Sequence, residues 1–420
     1  MYYVYVALFY LLLPVWAVFH TLRGIKKPDY HLRWKEYLGF YQQQHKQNVI
    51  WVHAASVGEV EAANVLVNYF LEHCAYPVLF TTSTEPGYRR VQALFGERVD
   101  HVYLPLDIPT GLSRFLKHFQ PKLAIIMETE IWPVLFSYCT KKSVPLFIVN
   151  ARLSEKSTQG YLRFKPFLTQ VFSGIDGILV QTELDAERYQ QIGASTDMIS
   201  VTGNIKLDME IPIAVKELAP QMKAELFPQR LIFVVGSTHQ GEEELFLAAY
   251  QQLKQQFPTL LLILVPRQPK RTDEIVKLCD ANNLTVLKRT ENKACTDATD
   301  IFLVDTIGEL KQMYALADCS FVAGSMVPIG GHNIFEPILL DIPVLFGPYM
   351  KNSELLAQQI LAAKGAIQCA DTDEIIQAVS LILSQPEAKQ QLVTAANAFV
   401  EKNKGALTRT VEVIERRCKV

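Results

Sequence analysis

The segment HAASVGE, residues 53–59, ends an apolar run with a turn that carries a carboxylate, Glu59. A phosphate seated on the start of the following helix would be repelled by that charge, so the carboxylate needs another explanation. A local one is concrete, because Ser56 and Glu59 have the S-x-x-E spacing of a capping box that satisfies free amides in a first helical turn. The positive end of a helix should also depress the carboxyl pKa, leaving Glu59 ionised and a weak base. A second pair of carboxylates, Glu128 and Glu130 in METEIWP, follows another apolar run. Such a pair serves acid and base work when its pKa values are split, or one member caps the next helix. Trp132 beside them is a stacking wall or a core anchor.

The second half of the chain carries features suited to anions. In GGHNIFEP, residues 330–337, Gly330 and Gly331 allow backbone amides to approach an anion, and His332 and Asn333 lead into a short helix with Glu336. A phosphate is expected at that helix start, with Glu336 accepting from ribose hydroxyls; the competing reading is a Gly-rich connector with a solvated glutamate. Arg267 in VPRQPKR follows a strongly apolar strand and should emerge at its end, where a guanidinium suits bidentate phosphate or carboxylate binding. Lys270 and Arg271 read as a solvated face. Lys206 in GNIKLD can neutralise a carboxylate or phosphate, or decorate the surface. No two of the nine histidines have metal-site spacing, and the seven cysteines never form CxxC, so neither a metal site nor a disulfide framework is expected.

Positioning these side chains takes two sheets. Short apolar runs alternate with amphipathic segments: NVIWVHA, YPVLFTT, HVYLPL, KLAIIME, VPLFIVNA and GILVQT, then RLIFVVGST, LLLILVPR, LTVLKR, IFLVDT, CSFVAGS and IPVLFGP. This rhythm indicates parallel βαβ units, and 420 residues exceed one core, so two α/β domains are expected. A weak repeat, VHAASVGEVE at 52–61 against VGSTHQGEEE at 235–244, supports two related Rossmann-like halves facing each other. It also warns that the Gly-Glu pair belongs to the fold as much as to chemistry. Ligands gather at the carboxyl ends of strands in such sheets, which makes a cleft between the halves the expected active site. The expected divisions are an anchor at 1–22, a first domain at 23–215 and a second at 216–420, whose last helix can cross back.

A net charge of -2 gives no global attraction to nucleic acid. Residues 1–19, MYYVYVALFYLLLPVWAVF, are uncharged and about long enough to cross a bilayer. Arg23, Lys26, Lys27, Arg33 and Lys35 follow, opposed only by Asp29, which places the rest of the chain on the cytoplasmic side of an anionic membrane. Tyr2, Tyr3, Tyr5 and Trp16 also suit a helix lying in the interface, and a buried helix of a soluble protein is the plain alternative. A secretory signal is disfavoured by the lack of a basic start and of a small-residue cleavage site.

Taken in order, the apolar N-terminus, HAASVGE, ETEIWP, NARLS, GNIKLD, GSTHQGEEE, VPRQPKR and GGHNIFEP resemble the 3-deoxy-D-manno-octulosonic acid (Kdo) transferases of Gram-negative bacteria, over essentially the whole chain. The resemblance implies a glycosyltransferase B fold and metal-independent transfer of Kdo from CMP-Kdo to the lipid A precursor, lipid IVA, at the inner face of the inner membrane. No cofactor is implied. It casts Glu59 as the base that deprotonates the acceptor hydroxyl for inverting attack. Ser237, Thr238, Arg267, Gly331, Asn333 and Glu336 become the CMP shell, with Lys206 meeting the donor's charge and Glu128 and Arg152 shaping the acceptor side. Two readings compete. A lipid-A-disaccharide synthase or a nucleotide-sugar 2-epimerase would turn over UDP-sugars, and a membrane-tethered sugar-nucleotide sensor would bind without turnover.

Overall fold

The structure, a computed structural model, describes residues 1–26, 33–41 and 46–418, the side chains of 19–26 excepted. Lys27 and Asp29 of the basic flank lie outside the described residues, as do the side chains of Arg23 and Lys26. The chain divides into two compact units, one of Met1–Met209 with Asn403–Val420 and one of Glu210–Lys402. The division falls at Met209, not after residue 215, and the last eighteen residues belong with the first unit instead of the second.

The first unit holds a parallel sheet of β1 (Ile50–His53), β2 (Val78–Thr82), β3 (Asp100–Tyr103), β4 (Leu123–Met127), β5 (Leu146–Ala151), β6 (Gly177–Val180) and β7 (Ile199–Val201), in the order 3-2-1-4-5-6-7. Its strands are apolar on both faces because helices cover both. Trp51 enters one core cluster while Ile50 and Val52 enter the other, which is the two-residue alternation of a strand. The strand order reverses between β1 and β4, whose registers pair Ile50 with Leu123 and His53 with Ile126. That reversal opens the crevice at the strand ends where Glu59 and Glu128 follow. The helix Ala406–Arg417 closes this unit from below: Val411 and Ile414 join the cluster of Ile50 and Val52, and Asp208 accepts the Gly405 amide at 2.7 Å.

The second unit repeats the plan with β8 (Leu231–Thr238), β9 (Leu260–Pro266), β10 (Val286–Lys288), β11 (Ile301–Leu303), β12 (Cys319–Val322), β13 (Val344–Phe346) and β14 (Ile367–Gln368), ordered 10-11-9-8-12-13-14. Its reversal lies between β8 and β12. Gly236 in β8 is obligatory for packing, since a Cβ there would collide with the Tyr314 hydroxyl. The strands β7 and β14 have three and two residues at sheet edges, too short to mark the sequence as apolar runs.

The N-terminal helix Tyr2–Lys26 contains Pro14. Among the described residues no helix is long and apolar enough to cross a membrane. One face of it is docked on the first unit. Tyr2, Tyr5 and Val6 pack against the core, and Tyr5 Oη donates to Asp107 Oδ2 at 2.9 Å. The other face exposes Tyr3, Val4, Leu8, Leu11, Leu12, Val15 and Val18 at helical spacing.

Candidate active site

In the first unit Ser56 caps the helix Val57–His73, its Oγ accepting the Glu59 amide at 3.3 Å. The Glu59 carboxylate reaches back to the Ala55 amide at 2.7 Å and accepts from Ser56 Oγ at 3.0 Å. The capping geometry is therefore present, and it does not decide the charge. Burial pushes the Glu59 carboxyl up to about 7 and Glu128 and Glu130 push the same way, against the lowering by Ala55 and Ser56. The depression expected from the helix terminus is reversed, because desolvation and like charge outweigh two local hydrogen bonds.

Glu128 stands across the strand reversal from Glu59. It is buried, and its backbone is in the left-handed region at φ 56, held by the bond from its amide to Val149 O at 2.9 Å. Its carboxylate takes Lys206 Nζ at 3.0 Å on Oε1 and Arg152 Nε at 2.8 Å on Oε2. Burial alone would raise the Glu128 pKa, but Lys206 and Arg152 overcome it and hold the carboxyl below the ordinary range. Burial raises Glu130, and the charge of Glu128 adds to the rise. The two carboxylates of METEIWP are thus split. Lys206 lies in the first unit with its ammonium on Glu128, and Asn150 Oδ1 holds the adjoining backbone by accepting the Ile205 amide at 3.1 Å.

In the second unit Ser237, at φ 65, sits at a register shift that ends β8, and the Arg267 amide donates to Thr238 O at 3.0 Å. The Arg267 side chain is exposed at the end of β9. Thr238 Oγ1 is buried with no hydrogen-bond partner among the described residues. The GGHNIFEP segment differs from expectation. The helix behind it, Phe335–Ile338, is a single turn, Asn333 Oδ1 accepts the Phe335 amide at 3.1 Å, and the Gly331 amide donates to Gly324 O at 2.8 Å. Gly331 has φ 73, and a Cβ on it would strike Met350 Sδ, so close packing accounts for the glycine. Glu336 follows in the same turn. Arg271 is not a solvated face; it forks onto Glu243 at 2.7 and 3.1 Å.

Two features here had no local sequence signal. Glu242, the counterpart of Glu59 in the repeat, is buried, and its carboxylate accepts the amides of His239, Gly324, Ser325 and Met326 at 2.9, 2.8, 3.1 and 3.0 Å. It stitches β8 to β12 across the reversal. His239 and His332 meet through their Nε2 atoms at 2.9 Å. Apart from the His239 amide, three positions from Glu242, the partners lie 82 to 93 positions apart, so only the fold reveals them. Glu242→Ala should orphan those amides and cost about 3 kcal/mol or more, at roughly 1–3 kcal/mol per buried unpaired group. Denaturant unfolding followed by hydrogen exchange at residues 324–326 measures it, and unchanged protection there would contradict the stitching role.

Comparison with known proteins shows the family to which the chain belongs. The profile described as 3-Deoxy-D-manno-octulosonic-acid transferase (kdotransferase) matches residues 32–209. The 3-deoxy-D-manno-octulosonic acid transferase of Haemophilus influenzae is 35% identical over 417 residues, covering 98% of this chain and 97% of that protein. The chain belongs to the Kdo transferase family. It is accordingly a glycosyltransferase. The Kdo transferase of Bordetella pertussis is 32% identical over 375 residues, 87% of this chain and 86% of that one. Among solved structures, UDP-GlcNAc 2-epimerase of Neisseria meningitidis bound to UDP-GlcNAc matches this Kdo transferase with a TM-score of 0.58 at 14% identity, over 88% of this chain and 99% of that one, which shows a shared fold.

Proposed function

We propose that this Kdo transferase moves Kdo from CMP-Kdo to lipid IVA with inversion, at the cytoplasmic face of the inner membrane. The observation that carries the reading is the Glu59 carboxyl at the β1/β4 reversal, raised to about 7 beside a Glu128 neutralised by Lys206 and Arg152. A general base works best with a pKa near the working pH. Glu59 takes the proton of the acceptor's primary hydroxyl as its oxygen bonds to the anomeric carbon of Kdo. The bond from that carbon to the phosphate oxygen breaks, and its electron pair leaves with CMP. No strong acid is required, because phosphate oxygen is stabilised by fixed positive charge and donors. Arg267 supplies the charge and the Ser237 and Thr238 hydroxyls the donors in the second unit, while Glu336 of the segment with Gly331 and Asn333 accepts from ribose hydroxyls. Arg152, whose side chain is 42% exposed while it holds Glu128, keeps a cationic edge for the anionic groups of the reactants.

The exposed apolar stripe of the helix Tyr2–Lys26 supports interfacial docking, with that face in the acyl boundary. Placing aspartate at Leu8, Leu11 and Val15 should release the protein from anionic vesicles and raise KM for a lipid acceptor by about tenfold or more, with CMP affinity unchanged. Vesicle co-sedimentation with acceptor titrations checks this; retained sedimentation would remove the helix from the membrane account. The reading itself is tested by mass spectrometry of lipid IVA after incubation with CMP-Kdo and, separately, with UDP-sugars. Kdo addition from CMP-Kdo is expected, whereas turnover restricted to UDP-sugars would overturn it.

A further inference from the structure

We propose that the His239–His332 pair takes up one proton when an anionic nucleotide binds beside Arg267, so that this unit binds its donor together with a proton. The inference rests on the reading that the second unit holds the nucleotide.

The pair straddles the β8/β12 reversal, where ligands gather in such sheets. His239 follows β8 directly, and His332 is carried on the loop after β12. Their rings are nearly parallel at 6°, with Nε2 facing Nε2 at 2.9 Å. Gly324 lies under both: a Cβ there would stand 2.8 Å from His332 Cδ2 and 3.3 Å from His239 Cδ2. The rings therefore have little freedom to part. The Glu242 carboxylate anchors the His239 amide and the Gly324 amide together, which fixes the floor and one side of the pair.

A contact of that length between two ring nitrogens needs one proton between them. When both rings are neutral, one donates through Nε2 and has a bare Nδ1, while the other accepts through Nε2 and carries its proton on Nδ1. Adding one proton to the bare Nδ1 turns the donor into an imidazolium without disturbing the contact, and converts a neutral hydrogen bond into a stronger charge-assisted one. A second proton would force two cations together. The pair is thus built to hold zero or one extra proton.

Its surroundings set when that proton arrives. Around His239 stand Arg267 and Arg271, which oppose a positive charge, and Glu243, which favours one but is forked by Arg271; Arg267 also faces His332. Burial and then Arg267 lower both rings, His332 to about 4, so the free protein holds the pair neutral near pH 7. A phosphate bound to Arg267 cancels the main repulsive charge and adds an attractive one. The proton-binding equilibrium then shifts upward, and by linkage the nucleotide binds more tightly as pH falls.

The test is calorimetry of CMP binding to the full chain at pH 6.5, in two buffers of different ionisation enthalpy, for wild type, His332→Gln and His239→Gln. The phosphate ionisation of CMP contributes equally to all three. Wild type should take up about half a proton or more beyond either variant, and equal proton counts among proteins that bind CMP would overturn the proposal. Should a variant fail to fold, ring proton resonances of the two histidines in wild type decide. Their apparent pKa should rise by about one unit or more with CMP, and an unmoved titration overturns the idea. A wild-type protein that binds no CMP would instead refute the donor reading itself, and the pair's role with it.

Discussion

Glu59→Gln should leave the fold and CMP affinity intact while transfer falls by about three orders of magnitude, the loss expected when a positioned general base is replaced by a near-isosteric amide. The glutamine oxygen can still accept the Ala55 amide, and its NH2 can donate to Ser56 Oγ where the glutamate accepted from it, so both contacts that make Glu59 a helix cap can be kept, one of them reversed in direction. Capping is thus largely preserved and only proton transfer is removed. Stability gives an independent check. The folded-state carboxyl, at about 7, lies above its ordinary value of 4.5, so the folded protein holds the extra proton and loses stability as pH rises between these values. Glutamine has no such loss, and the variant should melt at or above the wild-type temperature at pH 8. Calorimetry paired with transfer assays reads both; near-normal transfer would return Glu59 to capping alone.

Glu128→Gln should be the second severe substitution, and for a different reason. Lys206 and Arg152 would lose their buried carboxylate, and since their own side chains are 19% and 42% exposed, water screens the charges left behind and the cost should be about 1–3 kcal/mol. It would also lower the pKa of Glu59, because Glu128 is the largest like-charge influence on it after burial and the freed cations act in the same direction. The acid limb of the transfer rate should therefore move to lower pH while the maximal rate falls. A double substitution, Glu128→Gln with Lys206→Met, separates the two effects. It should recover much of the stability and leave the acid limb displaced. A limb that returns with the stability would mean that Glu128 acts only through the fold.

The sequence carries the architecture clearly where apolar runs are long. All six strands expected in the first half and all six in the second form, and apart from the half-buried edge strand β10 this is because a strand buried on both faces needs an unbroken apolar run. Edge strands β7 and β14 escape that rule, being short and half covered. For the site, strand ends place Glu59 and Glu128 beside the reversal of the first sheet and Arg267 at the end of β9, but the electrostatics of the carboxylates are not local. Helix-terminus reasoning lowers the pKa of Glu59, whereas burial and Glu128, nearly seventy residues away in sequence, raise it. The repeat likewise equates Glu59 with Glu242, yet Glu242 is consumed by four amides, three of them from the loop after β12. The same Gly-Glu position is a clasp in one unit and a poised carboxylate in the other. Glycines 330 and 331 have a packing reason the sequence does not show, since a Cβ on them would meet Asn352 and Met350.

The pH dependence of kcat/KM for Kdo transfer tests the base most directly. With Glu59 as the base, the rate should fall below an apparent pKa near 7 with unit slope, and the residual activity of Glu59→Gln should lack that limb. A wild-type limb near the ordinary glutamate value of 4.5, or a limb near 7 that persists in Glu59→Gln, would contradict the assignment.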